Sequence, residues 1–283
     1  MTMESDTSAA RGHSPPTENG EVSELSLLEG LGTWPGMSAE ELYKASLEEA
    51  FNIQQAMLPT GPLHLPAVEL QFKYRPANIF SGDFLDYFSI GDSNLVGLYL
   101  GDVVGKGMPA ALYAALAVGT LCGIHKYGEP PDVVLRFLNR RLAVRNVGGR
   151  YCAVQYAVLD RTSRQLHFGN AGISPRPIHI SEAGSRELGD GGFPCGMFKD
   201  VHYDVYSAQL NAGDTGLFST DGLTEAPDPA SEPFGVERLL EICHLNRHES
   251  TEILLNRIFE AVDMHTSSDI QRDDMTAAAL RLS

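Results

Sequence analysis

The chain has 283 residues, 43% of them hydrophobic, so it can bury a full core in one large domain plus a tail or in two small domains. Its formal net charge of -16 disfavours binding to nucleic acid through phosphate contacts. No apolar run approaches the length of a membrane span, and the N-terminus lacks the basic and apolar regions of a signal peptide.

The cysteine and histidine patterns bear on compartment and zinc. The four cysteines are scattered and form no CxxC pair, and the nine histidines form no HxxxH or HxH cluster. We therefore expect a cytoplasmic protein with reduced thiols and no zinc site.

The N-terminal region is acidic and poor in core-forming residues. Ten Asp or Glu and only two Lys or Arg occur in residues 1–50, so half of the net negative charge lies there. Residues 1–37 are rich in Ser, Thr, Glu, Gly and Pro, which predicts a disordered acidic tail.

A helix is predicted at 38–58. Ser38 and Glu41 have the spacing of a capping box, and Pro59 stops the helix. It packs on its own domain or, alternatively, is a linker or regulatory helix that transmits a signal or forms a homodimer. The apolar residues at helical spacing on one face are Tyr43, Leu47, Ala50, Phe51, Met57 and Leu58.

Residues 59–283 are predicted to form one α+β domain. Strands come in runs with helices in pairs between them, which favours layered, largely antiparallel sheets over alternating βαβ units. A loop-rich region covers 170–200. The predicted strands are 67–75, 84–90, 95–101, 151–160, 164–169, 203–209, 214–219 and 275–282, and the predicted helices are 109–126, 131–146, 234–245 and 250–263.

One predicted hairpin raises an electrostatic problem. If residues 91–94 form its turn, Ile90 faces Leu95 and the register places Asp83 opposite Asp102. Like charges that face each other across a strand pair are unfavourable, so this pair of carboxylates needs a compensating partner.

Other acids lie at strand ends as well. Asp221 follows an apolar strand, and Asp273 and Asp274 precede the last strand. In an antiparallel arrangement strand exits and entrances meet at one edge, so Asp83 and Asp102 can join these three. Each acid taken singly fits an ordinary turn or a solvated strand cap. Their joint placement favours a shared site.

Such a group of carboxylates predicts a bound cation. No Lys or Arg occupies a matching strand position. Oxygen ligands select Mg²⁺, Mn²⁺ or Ca²⁺. Two such ions about 4 Å apart can activate a water molecule for phosphate ester hydrolysis. This chemistry needs no protein nucleophile, and no Ser-His-Asp or Cys-His arrangement is evident.

Four further residues are weaker candidates. Asp86 lies on the face of Phe84 and Phe88, where it supports the site or reaches solvent at an edge. Asp92 lies in the hairpin turn, and Glu225 fits a solvated loop. Lys106 either contacts a phosphate or is an exposed loop residue, which is the more frequent situation.

Seven segments together resemble a known family. The set resembles the sporulation stage II protein E type of bacterial protein serine/threonine phosphatase, a branch of the metal-dependent protein phosphatase 2C superfamily. The resemblance covers roughly residues 50–283. The segments are, in order, SGDFLDYF, GDVVGKGMPAAL, NAGISPRP, GFPCGMF, STDGLTEA, FGVERLLEI and DDMTAAALRL.

This resemblance implies a four-layer α-β-β-α sandwich with two Mn²⁺ or Mg²⁺ ions at one end. It implies that Asp274 supports the ligands from outside the coordination sphere, and we expect Lys106, from its place in the loop after Asp102, to do the same. The implied metal ligands, which act in catalysis through metal-activated water, are Asp83, Asp102, the backbone carbonyl of Val103, Asp221 and Asp273.

The chain departs from the family pattern at three positions. Ser81 replaces the first Gly of a Gly-Gly-Asp motif, Lys106 replaces the His of Gly-His-Gly, and Ile173 replaces a His after Asn-Ala-Gly. No arginine can be assigned as a phosphate clamp from the sequence. All the expected acids are present, which argues against an inactive copy.

The leading hypothesis is hydrolysis of phosphoserine or phosphothreonine on a regulatory protein. The resemblance implies a substrate like an anti-anti-sigma factor, and we expect an activating protein that binds the N-terminal region. A regulatory binding module with little turnover is the alternative. A phosphatase acting on non-protein esters is a third interpretation.

Overall fold

The computed structural model of the chain describes residues 37–144, 149–266 and 271–283. The disorder predicted for residues 1–37 falls outside the described residues, except at Met37. The described elements, in chain order, are α1 (Ala39–Gln55), β1 (Leu63–Leu65), β2 (Val68–Arg75), β3 (Phe84–Ser89), β4 (Leu95–Val103), α2 (Met108–Ile124), a 3₁₀ turn (His125–Tyr127), α3 (Pro131–Ala143), β5 (Cys152–Asp160), β6 (Gln165–Ala171), β7 (Ile178–Ser181), β8 (Gly184–Glu187), β9 (Tyr206–Gln209), β10 (Thr215–Ser219), α4 (Asp221–Thr224), α5 (Val236–Leu245), α6 (Thr251–Thr266) and β11 (Met275–Leu282).

The chain divides into two units, Met1–Ala50 and Phe51–Ser283, and α1 begins in the first and ends in the second. Its predicted capping box is present. The Glu41 amide donates to Ser38 Oγ at 3.2 Å, and the Ser38 amide donates to Glu41 Oε2 at 2.7 Å. The helix ends at Gln55 instead of Leu58 because the next residues form tighter turns, with amides bonded three residues back.

The second unit contains two antiparallel sheets. The five-stranded sheet has the order β3-β4-β5-β6-β9, and the six-stranded sheet has the order β1-β2-β11-β10-β7-β8. All strand pairs in both sheets are antiparallel. This arrangement confirms the predicted α+β class with antiparallel sheets.

Three cores separate four layers. The inter-sheet core joins the inner faces of the two sheets through residues such as Leu85, Leu98 and Phe218. A second core packs α2 and α3 on the five-stranded sheet, and a third packs α5 and α6 on the six-stranded sheet. Alternation along each strand explains this, since successive side chains point to opposite faces. The predicted α-β-β-α sandwich is therefore confirmed.

The main error of the sequence prediction lies in the region 170–200. It was predicted to be loop, yet it contains β7 and β8, which pair across a short turn. Two smaller differences are that β4 extends to Val103 and that β9 begins at Tyr206. No helix in the described ranges is both long and apolar enough to cross a membrane.

Candidate metal centre

The β3–β4 hairpin has the predicted register. Ser89 pairs with Val96 and Phe84 pairs with Gly101, so the next position along the hairpin sets Asp83 opposite Asp102. The Val103 amide also donates to the Gly82 carbonyl at 3.3 Å, which extends the contact beyond the last strand pair. The five-stranded sheet therefore brings two carboxylates to one end.

The six-stranded sheet brings its acids to the same end. The Thr220 amide donates to the Thr276 carbonyl at 3.0 Å, which aligns the start of α4 with the start of β11. Asp221 begins α4, and Asp273 and Asp274 lie just before β11. Hydrogen bonds from this sheet to Asp83 and Gly82 join the two sets of acids.

Asp83 is held by two hydroxyl groups from the opposite sheet. Its Oδ2 accepts from Thr220 Oγ1 at 2.9 Å and from Thr276 Oγ1 at 2.5 Å, and the residue is 3% exposed. Neither threonine was predicted from the sequence as a site residue. The available signal was position, because each threonine is next to or two residues from a predicted acid.

Both carboxylate oxygens of Asp274 bond to backbone amides. Oδ1 accepts from Ala77 at 2.7 Å, and Oδ2 accepts from Gly82 at 2.9 Å. Asp274 therefore fixes the loop that leads into Asp83. The supporting role of Asp274 toward a metal stays a prediction.

Gln54, which the sequence analysis also missed, clamps the same loop from α1. Its Nε2 donates to the Ser81 carbonyl at 2.7 Å, and its Oε1 accepts from the Ser81 amide at 3.2 Å. Ser81 Oγ in turn accepts from the Asp83 amide at 3.0 Å. The serine that replaces the family's glycine thus has a defined role in the loop.

The acids perturb one another strongly. Burial, together with the negative charges of Asp221, Asp273 and Asp274, raises the pKa of Asp102 to about 7, against a hydrogen bond with Asp83 that lowers it. Burial and the charges of Glu225 and Asp273 raise the pKa of Asp221 to about 6.

Asp83 shows the same effect. Burial and the neighbouring Asp102 raise the pKa of Asp83 well above its usual range, although Thr276 and Thr220 oppose the shift. Carboxylates that are buried and close together favour the binding of a cation, because a cation offsets their repulsion.

Lys106 contacts this group of acids. Its Nζ lies 3.0 Å from Asp273 Oδ2 and also donates to the Arg272 carbonyl. The side chain is 49% exposed, so the expected loop lysine is exposed and is also paired. It links the loop after β4 to the segment before β11.

The space beside Gly82 can be tested for fit to a metal ion. A Cβ atom at this residue would lie 2.9 Å from the Val103 carbonyl oxygen and 3.4 Å from Asp102 Oδ1. These two predicted ligand oxygens therefore flank one small space that glycine leaves open. The nearby side-chain oxygen atoms that can coordinate a metal ion belong to carboxylates, which Mg²⁺ and Mn²⁺ prefer as ligands.

The ligands are not in a closed coordination cage. Within the described ranges, no three His, Cys, Asp or Glu side chains are arranged to hold a metal ion as they stand. Asp273 Oδ2 is directed to Lys106, and the two hydroxyls that contact Asp83 both donate to its Oδ2. Binding of an ion by Asp273 therefore requires this carboxylate to turn away from Lys106.

The three weaker acids lie in different places. Asp86 is half-buried opposite Tyr99, and burial raises its pKa despite a bond from the Tyr87 amide. Asp92 is exposed in the hairpin turn. Glu225 is exposed, yet its charge raises the pKa of Asp221, so it lies closer to the acids than a solvated loop residue would.

Comparisons with known proteins agree with this architecture. The family model described as Stage II sporulation protein E (SpoIIE) matches residues 92–283. The chain is 29% identical over 264 residues to Protein IcfG of Synechocystis sp., covering 84% of this chain and 41% of that protein. It is 26% identical to the phosphoserine phosphatase RsbU of Bacillus subtilis, covering 84% of this chain and 70% of that protein.

Solved structures give the same fold. The SiaA-PP2C domain of Pseudomonas aeruginosa superposes with a TM-score of 0.74 at 21% identity, covering 87% of this chain and 99% of that one. The PP2C phosphatase domain of SpoIIE from Bacillus subtilis, with a fragment of its regulatory domain, gives 0.65 at 19% identity, covering 76% and 63%. The chain has the PP2C fold and belongs to the SpoIIE family.

Proposed function

We propose that the chain is a metal-dependent protein serine/threonine phosphatase. The observation that carries this proposal is the convergence of five aspartates from two sheets, three of them with strongly raised pKa values. The family match and the printed name of the relative RsbU, a phosphoserine phosphatase, support the same reaction.

The proposed ligands of two Mn²⁺ or Mg²⁺ ions are Asp83, Asp102, the Val103 carbonyl, Asp221 and Asp273. When bound, such ions lower the pKa of coordinated water and offset negative charge on a phosphoryl group. The protein's own contribution is positioning. Thr220 and Thr276 orient Asp83 through their hydroxyls, and Asp274 and Gln54 fix the loop that carries Asp83.

The proposed substrate is a phosphorylated regulatory protein similar to an anti-anti-sigma factor. This rests on the family resemblance and on RsbU among the relatives. We also retain, as proposals from the sequence, an activating protein that binds the N-terminal region, a homodimer through the helix at 38–58, and a cytoplasmic location.

The first experiment measures Mn²⁺-dependent hydrolysis of p-nitrophenyl phosphate and of a phosphoserine protein. Asp102→Asn removes a proposed ligand, so kcat/KM should fall by roughly 100-fold or more on both substrates. Asp92→Asn is the matched control, because the same substitution in the exposed hairpin turn should leave kcat/KM unchanged.

Three results would count against the proposal. Undiminished activity of Asp102→Asn would remove the aspartate centre from the reaction. A wild-type chain without turnover under any divalent cation would favour a regulatory binding module. Turnover of small esters alone would favour a phosphatase that does not act on proteins.

A further inference from the structure

A basic groove lies outside the candidate metal centre. It has a volume of about 310 Å³ and runs between α3 and residues 199–202. Arg136 and Arg140 line it from the helix, and Lys199 and His202 line it from the facing segment. Asp200 is the single acid in this lining. A groove of this charge is unexpected in a chain with a net charge of -16.

The groove is held together by a buried side chain. Asn139, only 1% exposed, lies on α3 and bonds to the backbone of the facing segment. Its Oδ1 accepts from the Gly196 amide at 2.8 Å, and its Nδ2 donates to the carbonyls of Phe198 at 3.0 Å and Lys199 at 3.2 Å. These bonds fix the distance between the two walls, so the groove is a built feature of the fold.

The four basic residues differ in whether an acid is already paired with them. Arg136 is paired with Asp132 at 2.8 Å, and His202 lies 3.5 Å from Asp204. By contrast, no described acid forms an ion pair with Arg140 or Lys199, and both side chains are exposed. These two cations are therefore available to an external anion.

The groove is connected to the candidate metal centre through the backbone. Val103, next to Asp102, pairs with Cys152 in the five-stranded sheet. Cys152 in turn exchanges two backbone hydrogen bonds with Cys195, at 3.0 and 2.7 Å. Cys195 begins the segment that Asn139 holds and that ends in the groove wall. This backbone link couples the position of the groove wall to the strand that carries Asp102.

We propose that this groove binds an acidic segment of the phosphoprotein substrate, separate from the residue that is dephosphorylated. The inference rests on the proposed function and specifies its substrate class. The two cations without an ion pair to a described acid, Arg140 on α3 and Lys199 on the facing segment, lie on opposite walls of the groove. An extended peptide that lies between these walls presents alternate side chains to opposite sides. The groove therefore favours a segment with several Asp or Glu residues.

Charge makes this preference a sharp test. A protein with a net charge of -16 repels acidic peptides in general, so a preference for them requires a local basic site. The probes are two phosphoserine peptides that are identical except for Glu-x-Glu-x-Glu in one and Gln-x-Gln-x-Gln in the other. Binding to the full chain is measured by fluorescence anisotropy in EDTA, where metal-dependent turnover is stopped.

We expect the Glu peptide to bind roughly tenfold more tightly than the Gln peptide at low salt, since few partly exposed ion pairs contribute. The difference should vanish in Arg140→Glu/Lys199→Glu and in high salt. The matched control is Arg164→Glu/Arg186→Glu, two exposed arginines on another part of the surface, which changes the net charge equally and should keep the preference.

In turnover assays with Mn²⁺, the groove variant should raise KM for the Glu peptide and leave hydrolysis of p-nitrophenyl phosphate unchanged. Equal binding of the two peptides, or a preference that survives in the groove variant, would overturn the inference. So would equally tight, groove-dependent binding of an oligothymidine, which would indicate a general polyanion patch. If the wild-type chain preferred the Glu peptide but hydrolysed no substrate with Mn²⁺, the proposed function would be wrong and the groove inference would stand.

Discussion

Asp83 is tightly constrained by its hydrogen bonds. Two hydroxyls from the other sheet donate to one of its oxygens, and its own amide is bonded to Ser81 Oγ. A buried carboxylate with this many fixed donors cannot rotate freely, so it supplies a reference position for the remaining acids. By contrast, the side chain of Asp273 is 51% exposed, so it is less constrained than that of Asp83.

The Lys106–Asp273 pair leads to a prediction about metal affinity. A divalent ion that binds Asp273 must displace the ammonium group or accept its repulsion. Lys106→Met keeps the side-chain length and removes the charge, so Mn²⁺ should bind roughly tenfold more tightly, as measured by calorimetric titration. The measured quantity is the Mn²⁺ affinity, so the test does not require catalytic turnover.

Lys106→Arg is the control, because it keeps the positive charge and should leave the Mn²⁺ affinity close to that of the wild type. Weaker Mn²⁺ binding in Lys106→Met would show that the lysine positions Asp273 for the metal. Unchanged affinity with a raised KM for p-nitrophenyl phosphate would instead assign the lysine to the substrate.

At the scale of single residues, the sequence predicts the aspartates of the candidate metal centre better than it predicts their hydrogen-bond partners. Asp83 and Asp102 were paired from the spacing of a single hairpin, which is a local signal. Thr276 lies 193 residues from Asp83 and Gln54 lies 27 residues from Ser81, so neither contact has a local pattern. Such contacts depend on how the two sheets and α1 meet, which the hydrophobic pattern does not encode.

Helix α4 is short, but its first turn is tightly packed. A Cβ atom on Gly222 would lie 1.9 Å from the Asp274 carbonyl oxygen, which is a backbone atom and cannot move aside cheaply. Gly222→Ala should therefore lower the free energy of unfolding by about 2–3 kcal/mol and weaken Mn²⁺ binding, because the loops of Asp221 and Asp274 must separate.

Urea unfolding and Mn²⁺ titration test this, with Gly61→Ala as the control. A Cβ atom on Gly61 has no atom within 4 Å and its backbone is not left-handed, so its stability should change by less than about 0.5 kcal/mol. Equal behaviour of the two alanine variants would show that the packing of α4 on Asp274 is unimportant.

Among the elements, longer strands with strong apolar patterns were predictable, and strands of four residues were not. Strands β3 and β11 follow their predicted spans within one residue because they alternate into two apolar cores. Strands β7 and β8 have four residues each, and β8 has the sequence GSRE. β8 has no apolar alternation, and β7, with the sequence IHIS, alternates over only four residues. β7 pairs with β10, and β8 pairs with β7.

The stability of the whole protein should depend on pH through the raised aspartate pKa values. The pKa of Asp102 is raised from 3.8 to about 7 and that of Asp221 to about 6, so the folded, metal-free chain holds protons that the unfolded chain releases. Their contribution to the free energy of unfolding therefore falls as the pH rises from about 4 to about 7.

This effect is isolated by comparing the wild type with Asp102→Asn/Asp221→Asn in EDTA. The neutral variant should gain in thermal midpoint relative to the wild type between pH 5 and pH 7.5. Added Mn²⁺ should raise the wild-type midpoint more at pH 7.5 than at pH 5, because the ion binds the deprotonated acids. A midpoint difference that is constant with pH would contradict the assigned shifts.

The division of the acids between two sheets has a mechanical consequence. Asp83 and Asp102 travel with one layer, and Asp221 and Asp273 travel with the other, while the layers meet largely through apolar contacts that have little directionality. A slide of one layer by an ångström would change the spacing between these pairs by a comparable amount. The hydroxyls of Thr220 and Thr276, which donate to Asp83 across the two layers, oppose such a slide at the end where the acids lie.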